Sequence, residues 1–434
     1  MDNRSLADAA RPAWRGAHGA SSGTLLTVAA PGVRISGLTV QNSGRSLLND
    51  DAAILVVADD VTIEHNRLHD IHHAVYIKDG AARSIVRNNT IVGRVDLIRE
   101  DRGNGIHLWD APDALVELNT VLHVRDGVYV GFAPRSIFRD NVFREVRYGI
   151  HFMYADDNLF EHNRFEYAEA GAALMYSKNI TLRGNVFAHS RSSRAYGLLL
   201  QECDGVLAED NLLLNNSRGL FVNVSRDGVF RRNRFVANDL AVQIYAGAER
   251  NQFTSNDFVA NLQLVMLDAP GSNVWRGNYW DEYRGLDMDG DGAGDSAFST
   301  GDPLGSLLSD YPQLRLFSFS PAVQALAAAE RAFPVLELPT VRDPQPALLP
   351  VAGSAAADHG DTHAPRQPRL DLGLLALAML LGALHQGIVA QRFAGFRATP
   401  AHSTLPKPET TRGSHSCRSA SATAQSAPST MFRS

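Results

Sequence analysis

Apolar and polar side chains alternate along most of the chain in runs too short for helices. Ile106-His107-Leu108, Val128-Tyr129-Val130, Ile150-His151-Phe152, Leu198-Leu199-Leu200 and Leu220-Phe221-Val222 each follow a glycine. A period of two predicts short strands with one buried face. A second series reads Asn-x-apolar and begins at Asn66, Asn89, Asn119, Asn141, Asn163, Asn185, Asn211, Asn233, Asn256 and Asn278. Its intervals are 23, 30, 22, 22, 22, 26, 22, 23 and 22 residues. A third short strand precedes each of these asparagines, as in Ser136–Arg139 and Gly228–Arg231. Three strands in about 22 residues make one triangular coil, so the pattern predicts an all-β, right-handed parallel β-helix of about ten coils. The Leu-x-x-Leu-x-Leu signature of leucine-rich repeats is absent, and a propeller blade would need about 40 residues.

Coils stacked about 4.8 Å apart would span roughly 48 Å, with Ile, Val, Leu and Phe filling a continuous interior. The repeated asparagine is expected to take a left-handed corner conformation and to join a ladder of stacked amides. The glycine before each inner strand is expected to supply a positive φ.

The pattern divides the chain. Residues 1–23 form an N-terminal segment, read as truncated or disordered, and 24–280 carry the β-helix. Residues 281–319 are expected to form an irregular C-terminal cap, because an open solenoid end would pair with other chains. Residues 320–350 read as a short helix capped by Ser320 and opened by Pro321, then a Pro-rich docking segment. A linker (351–371) leads to an apolar helix (372–390), and 391–434 have the composition of a disordered tail. The apolar run is short of the roughly 20 residues that span a bilayer, so a membrane helix and an interfacial or partner-binding helix both remain open.

Composition changes this picture little. The 434 residues carry a net charge of −6, which gives no nucleic-acid footprint. Cys203 and Cys417 form no Cys-x-x-Cys motif. Met1–Ala20 lacks the apolar run of a signal peptide, so the start is expected to be truncated or the protein cytoplasmic.

Candidate chemistry falls in four places. Asp287, Asp289, Asp291 and Asp295 sit at positions 1, 3, 5 and 9 of a stretch with Gly292 at position 6, like the start of a calcium loop, although Phe298 replaces the final acid. A calcium or similar hard cation and a solvated acidic turn are the two readings. If Ile106, Val128 and Ile150 point inward, then His107, Tyr129 and His151 line one outer face, near Met153 and Met175. Imidazole and thioether suit copper, while cross-strand packing explains the same residues without a metal. The 30-residue interval contains a charged insertion with Asp101, Arg102 and Asn104, either a binding edge or a solvated loop; Trp109, Tyr129 and Tyr154 extend the candidate docking face. Finally, Asp101, Asp110, Arg125, Asp126 and Arg147 could serve a polysaccharide lyase, hydrolase or epimerase, but no compact catalytic motif accompanies them.

Asp101–Leu108, Arg147–Tyr154, Gly277–Trp280 with the acidic loop after it, and Arg331–Val335 together resemble the NosD family. The likeness runs from about Ser21 to Pro350. It implies a non-enzymatic, periplasmic β-helix of the carbohydrate-binding and sugar-hydrolase (CASH) type. Such a protein works with an ABC transporter in maturing the copper-sulfur centre of nitrous-oxide reductase. Copper and a copper chaperone are the implied cofactor and further partner. Arg331, Phe333 and Pro334 would face the transporter. The family's signal peptide and first coil are absent here, and the stretch after Pro350 lies outside its pattern. The alternative is a polysaccharide-active enzyme or a sugar-binding β-helix.

Overall fold

In a computed structural model the chain is an all-β parallel solenoid. The structure describes residues 13–15, 23–300 apart from 47, 48, 246 and 270, then 320, 321, 325 and 340–351. Three parallel sheets run its length. Sheet I has 12 strands, from Ala13–Arg15 to Tyr279–Trp280. Sheet II has 11, from Leu26–Val28 to Gln263–Leu267, and sheet III has 11, from Arg34–Ser36 to Val274–Arg276. The chain visits them in the order II, III, I, and each strand pairs with its equivalent one coil away.

The interior follows the alternation read from the sequence. Phe143, Phe165 and Phe187 are fully buried and stack with centroids 5.2 and 5.0 Å apart and planes within 8°. Phe138 on Phe160, Phe230 on Phe253 and Phe235 on Phe258 repeat the arrangement. The repeat places like side chains in register, and offset stacking is the favourable geometry for such rings.

The asparagine ladder forms. Asn141 donates from its backbone N–H and its Nδ2 to Oδ1 of Asn163 (3.1 and 3.0 Å), and its Nδ2 also reaches the Val116 carbonyl at 2.8 Å. The same bonds link Asn66 through Asn278, so each buried amide meets the coils on both sides. Two local expectations are corrected. The left-handed residue is not the asparagine but the one before it, for example Leu118 (φ 56°), Asp140 (φ 55°) and Arg232 (φ 53°). The left-handed corner turns the chain so that the next side chain enters the interior. Nor do Gly127 and Gly149 have positive φ. They are needed for space: a Cβ at Gly127 would lie 2.4 Å from the Phe143 ring and 2.5 Å from the Gly149 carbonyl.

The ladder ends on Asp343. Its buried carboxylate accepts Asn278 N–H (2.9 Å), Asn278 Nδ2 (3.0 Å), Trp280 Nε1 (3.2 Å) and Gly277 N–H (3.1 Å). Val341–Asp343 pairs antiparallel with Phe298–Thr300, whose Phe298 ring lies 4.9 Å from Trp280. Residues 340–350, read from sequence as part of a docking segment, thus share the capping of the last coil. Arg331, Phe333 and Pro334, like residues 352–434 with the apolar segment, lie outside the described residues.

The three large insertions all fall between sheets I and II, at residues 42–51, 94–105 and 189–195. The other two corners keep a nearly constant length. One edge of the solenoid therefore carries the irregular chain, beside the outer face of sheet II.

Candidate functional site

The strand pairing of sheet II stacks Tyr76, His107, Tyr129 and His151 along its outer face. Successive ring centroids are 4.4, 4.6 and 4.9 Å apart. Two residues further along each strand a parallel row runs Trp109, Gly131, Met153, Met175. Residues i and i+2 of a strand share a face, so His151, Met153 and Met175 occupy one patch. His107 lies two coils from His151 with Tyr129 between them, and the four copper candidates do not form a single set.

At the corner beyond Met153, Phe132, Tyr154 and Tyr176 stack with centroids 5.4 and 5.0 Å apart and planes within 11°, and Trp109 meets Phe132 edge-on at 5.2 Å. These four side chains are 39 to 48% exposed. Phe132, Tyr154 and Tyr176 are all left-handed, with φ of 53°. Bulky residues lose about 1 kcal/mol each in that region. Sequence reasoning reaches Trp109, Tyr129 and Tyr154 and misses Phe132, although its 22-residue spacing from Tyr154 is visible.

The inner margin of the face is charged. Asp126 is fully buried, accepts Arg147 through both oxygens (2.9 and 2.6 Å), and takes His151 Nδ1 at 3.1 Å. Burial acts to raise its pKa, but the bonds from His151 and Arg147 outweigh burial and hold it below the ordinary carboxylate value. Nδ1 of His151 is thereby engaged, and Nε2 is left as its ligand atom. Arg147 also stacks on Tyr148 at 4.6 Å. Burial raises the pKa of Tyr129 and of Tyr148. Asp126, Arg125 and Arg147 thus do meet, whereas Asp101 sits in a 3-10 turn of the insertion and Asp110 at the opposite corner.

Within the insertion, Arg102 ties the loop down by donating to the Leu97 and His123 carbonyls (3.0 and 3.3 Å), and Arg99 reaches Glu169 at 3.1 Å. Asn104 is fully buried, its N–H bonded to His73 Nδ1 at 3.0 Å, so it belongs to the interior and not to an exposed docking face. Beside the Arg99–Glu169 bridge, Tyr167, His189, Arg191 and Asn215 help line a groove of about 560 Å³.

In the acidic loop, oxygens of Asp287, Asp289 and Asp295 lie within 4.8 Å of one another; Asp291 is outside that group. All four carboxylates accept backbone N–H bonds inside the loop, Asp287 from Gly290 and Gly292 (2.6 and 3.0 Å). Those bonds hold the Asp287 pKa low.

The family model described as periplasmic copper-binding protein (NosD) matches residues 87–285, the coils that carry this face. Over 355 residues the chain is 44% identical to the probable ABC transporter binding protein NosD of Pseudomonas aeruginosa, covering 77% of this chain and 82% of that one. The chain belongs to the NosD family. A second NosD relative, from Stutzerimonas stutzeri, is 41% identical over 347 residues, 75% of this chain and 79% of its own. Among solved structures the NosD chain is similar to the A-module of the mannuronan C-5 epimerase AlgE6 of Azotobacter vinelandii, with 14% identity, a TM-score of 0.47 and coverage of 56% of this chain and 72% of that one. The family description places NosD proteins in the periplasm, and no described helix is long and apolar enough to cross a membrane.

The residues present fit copper. Two thioethers beside an imidazole are soft-to-borderline donors suited to Cu(I), and the second ring nitrogen of His151 is fixed by a buried carboxylate, the usual support of a ligating histidine. The hard carboxylates of the acidic loop are chemically unlike this patch and follow the last coil, four coils beyond Met175.

Proposed function

We propose that this chain is a non-enzymatic accessory protein that works with an ABC transporter and hands copper to nitrous-oxide reductase during assembly of its copper-sulfur centre. His151 Nε2, Met153 Sδ and Met175 Sδ would hold the ion. Copper there supplies a soft cation for transfer, and the protein's part is to orient the donors and leave them accessible. The observation that carries the reading is this donor patch bounded by the exposed stack of Trp109, Phe132, Tyr154 and Tyr176. A partner bringing or taking copper, such as a copper chaperone or the reductase, would dock on the stack. Exposed, partly strained aromatic residues are more useful as a contact surface than as packing.

The sugar-acting alternative has one supporting observation, the Asp126–His151 pair. Two others oppose it. Burial raises both neighbouring tyrosines, the wrong direction for a phenolate base, and Arg147 is neutralised by its two bonds to Asp126.

The test is the triple variant His151→Ala, Met153→Leu, Met175→Leu in the cell. It is expected to be folded, to bind Cu(I) at least tenfold more weakly in a competition titration, and to leave the reductase without copper-sulfur absorption. A reductase with normal absorption in a strain lacking the whole protein would overturn the maturation role; normal Cu(I) affinity in the variant would overturn the site.

A further inference from the structure

The sheet I–sheet II corner holds a second polar cluster that the copper patch does not use. One corner row of successive coils reads His72, Gly103, Arg125, Arg147. Gly103 is packed on His72, with a built Cβ 2.2 Å from the His72 carbonyl, and the Arg125 N–H bonds the Gly103 carbonyl at 2.8 Å. Gly103 adds no side chain to the row, and the close approach of the His72 backbone allows none. His73 lies beside His72, with ring centroids 4.7 Å apart, and His107 lies 5.2 Å from His73.

The groups around this position are short of partners. His72 and Asn104 are fully buried, and both ring nitrogens of His72 and Oδ1 of Asn104 have no hydrogen-bond partner in the protein. The same holds for Nε2 of His107, Nε of Arg125 and Nε of Arg94. Buried polar atoms are rarely left in this condition, and since a neutral imidazole donates from one of its two nitrogens, four of these six atoms can offer an N–H. Arg147 and Arg94 are tied to Asp126 and Asp96 at 2.6 and 2.9 Å. Arg125 only approaches Asp126, at 3.7 Å, and hydrogen-bonds no carboxylate. Asp51, the carboxylate acting on His72, accepts Gly23 and Ser46 backbone N–H groups at 2.9 Å. Burial together with the Arg125 charge keeps His72 and His107 neutral, with pKa values of about 4 and about 3. A cation would meet Arg125, and no three histidine or carboxylate groups of this corner converge as metal ligands among the described residues.

We infer that the His72–Gly103–Arg125 corner is a binding site for a small inorganic oxyanion, held by the Arg125 guanidinium and imidazole N–H groups of His72 and His107. The Arg125 side chain is about a fifth exposed, which gives the ion its route from solvent. Arg125 supplies the charge, His72 and His107 the direction. A charge-assisted N–H bond is about twice as strong as a neutral one, so Arg125 dominates affinity.

The experiment titrates sodium sulfate, and separately sodium phosphate, into the full chain at pH 7 in Tris-chloride buffer, read by calorimetry. A second readout is the imidazole ¹⁵N shifts of a histidine-labelled sample. At least one salt should bind with saturation and move the His72 resonances. Arg125→Gln should weaken it tenfold or more, while Arg135→Gln, a surface arginine paired with Asp113, should not. Should Arg125→Gln fail to fold, the histidine shifts of the wild-type chain decide alone. Neither heat nor shift, or an ordered water in place of the ion in a crystal grown with sulfate, overturns the proposal. So does a response confined to Cu(I) or Zn²⁺.

Discussion

Replacing Asp343 by alanine isolates what closes the solenoid. The carboxylate is fully buried and accepts from five donors: the backbone N–H groups of Gly277, Asn278 and Gln345, Nδ2 of Asn278 and Nε1 of Trp280. Asn278 and Trp280 are themselves at most 1% exposed, so the Asn278 N–H and Trp280 Nε1 lose their acceptor in a place water cannot easily reach, and Asn278 Nδ2 keeps only the Phe253 carbonyl at 2.9 Å. An unsatisfied buried donor costs about 1–3 kcal/mol, and relaxation of the last coil would recover part of it, so Asp343→Ala should cost about 3–5 kcal/mol. Asp343→Asn keeps one carbonyl oxygen in the place each earlier Asn Oδ1 occupies. It should cost about 1–2 kcal/mol, the difference between a charged and a neutral acceptor. Urea unfolding followed by circular dichroism measures both. Asp343→Ala should also self-associate with concentration, because the exposed edge of the last coil can pair with another chain. A loss below about 0.5 kcal/mol for alanine, or equal losses for alanine and asparagine, would refute the view that Asp343 completes the amide ladder.

Phe165→Ala removes the middle ring of the Phe143–Phe165–Phe187 stack and should cost about 3–5 kcal/mol by equilibrium unfolding. The neutral histidines predict a pH dependence. Their folded pKa values, about 4 for His72 and about 3 for His107, lie below the unfolded value of 6.5, so only the unfolded chain takes up protons as pH falls through 6.5. Stability from these groups is complete above pH 6.5 and is lost toward pH 4, by at most about 1.4 kcal/mol per pH unit for each. The carboxylates held low, such as Asp126, act below that window; urea midpoints that stay level from pH 7 to 4.5 would contradict the assignment. If the acidic loop takes a hard cation, melting should rise with calcium, and Asp289→Ala with Asp291→Ala should remove that rise while leaving melting in chelator unchanged.

The coil period was legible because every coil repeats one buried asparagine and one aromatic or aliphatic core position at fixed spacing. The outward face of sheet II was legible for the same reason, since alternation fixes which side His107, Tyr129 and His151 take. Conformational detail was not. Asn and Gly both tolerate positive φ, and that general tendency pointed to the wrong residues: the ladder asparagines point inward after a left-handed neighbour, and Gly127 and Gly149 make room for phenylalanines of the neighbouring sheet. The role of Asp343 was hidden by distance, 65 residues beyond the asparagine it meets. The meeting of His72 with Arg125 was hidden for a related reason: the members of that corner come from three different coils, and only the register brings them together.

The concentration of long insertions at one corner has a consequence for how such a chain can change. The hydrogen bonds that hold coils together run between strands, parallel to the solenoid axis. A residue added at the sheet I–sheet II corner therefore bulges outward without altering which strand residues face each other. Each coil offers its own attachment point at that edge, about 4.8 Å from the next. The edge works like a row of sockets on a ruler. Loop length can be set separately at each rung while the spacing between rungs stays fixed, so a partner reading this edge meets a surface whose dimensions along one axis are set by the fold and whose relief across it is free to vary.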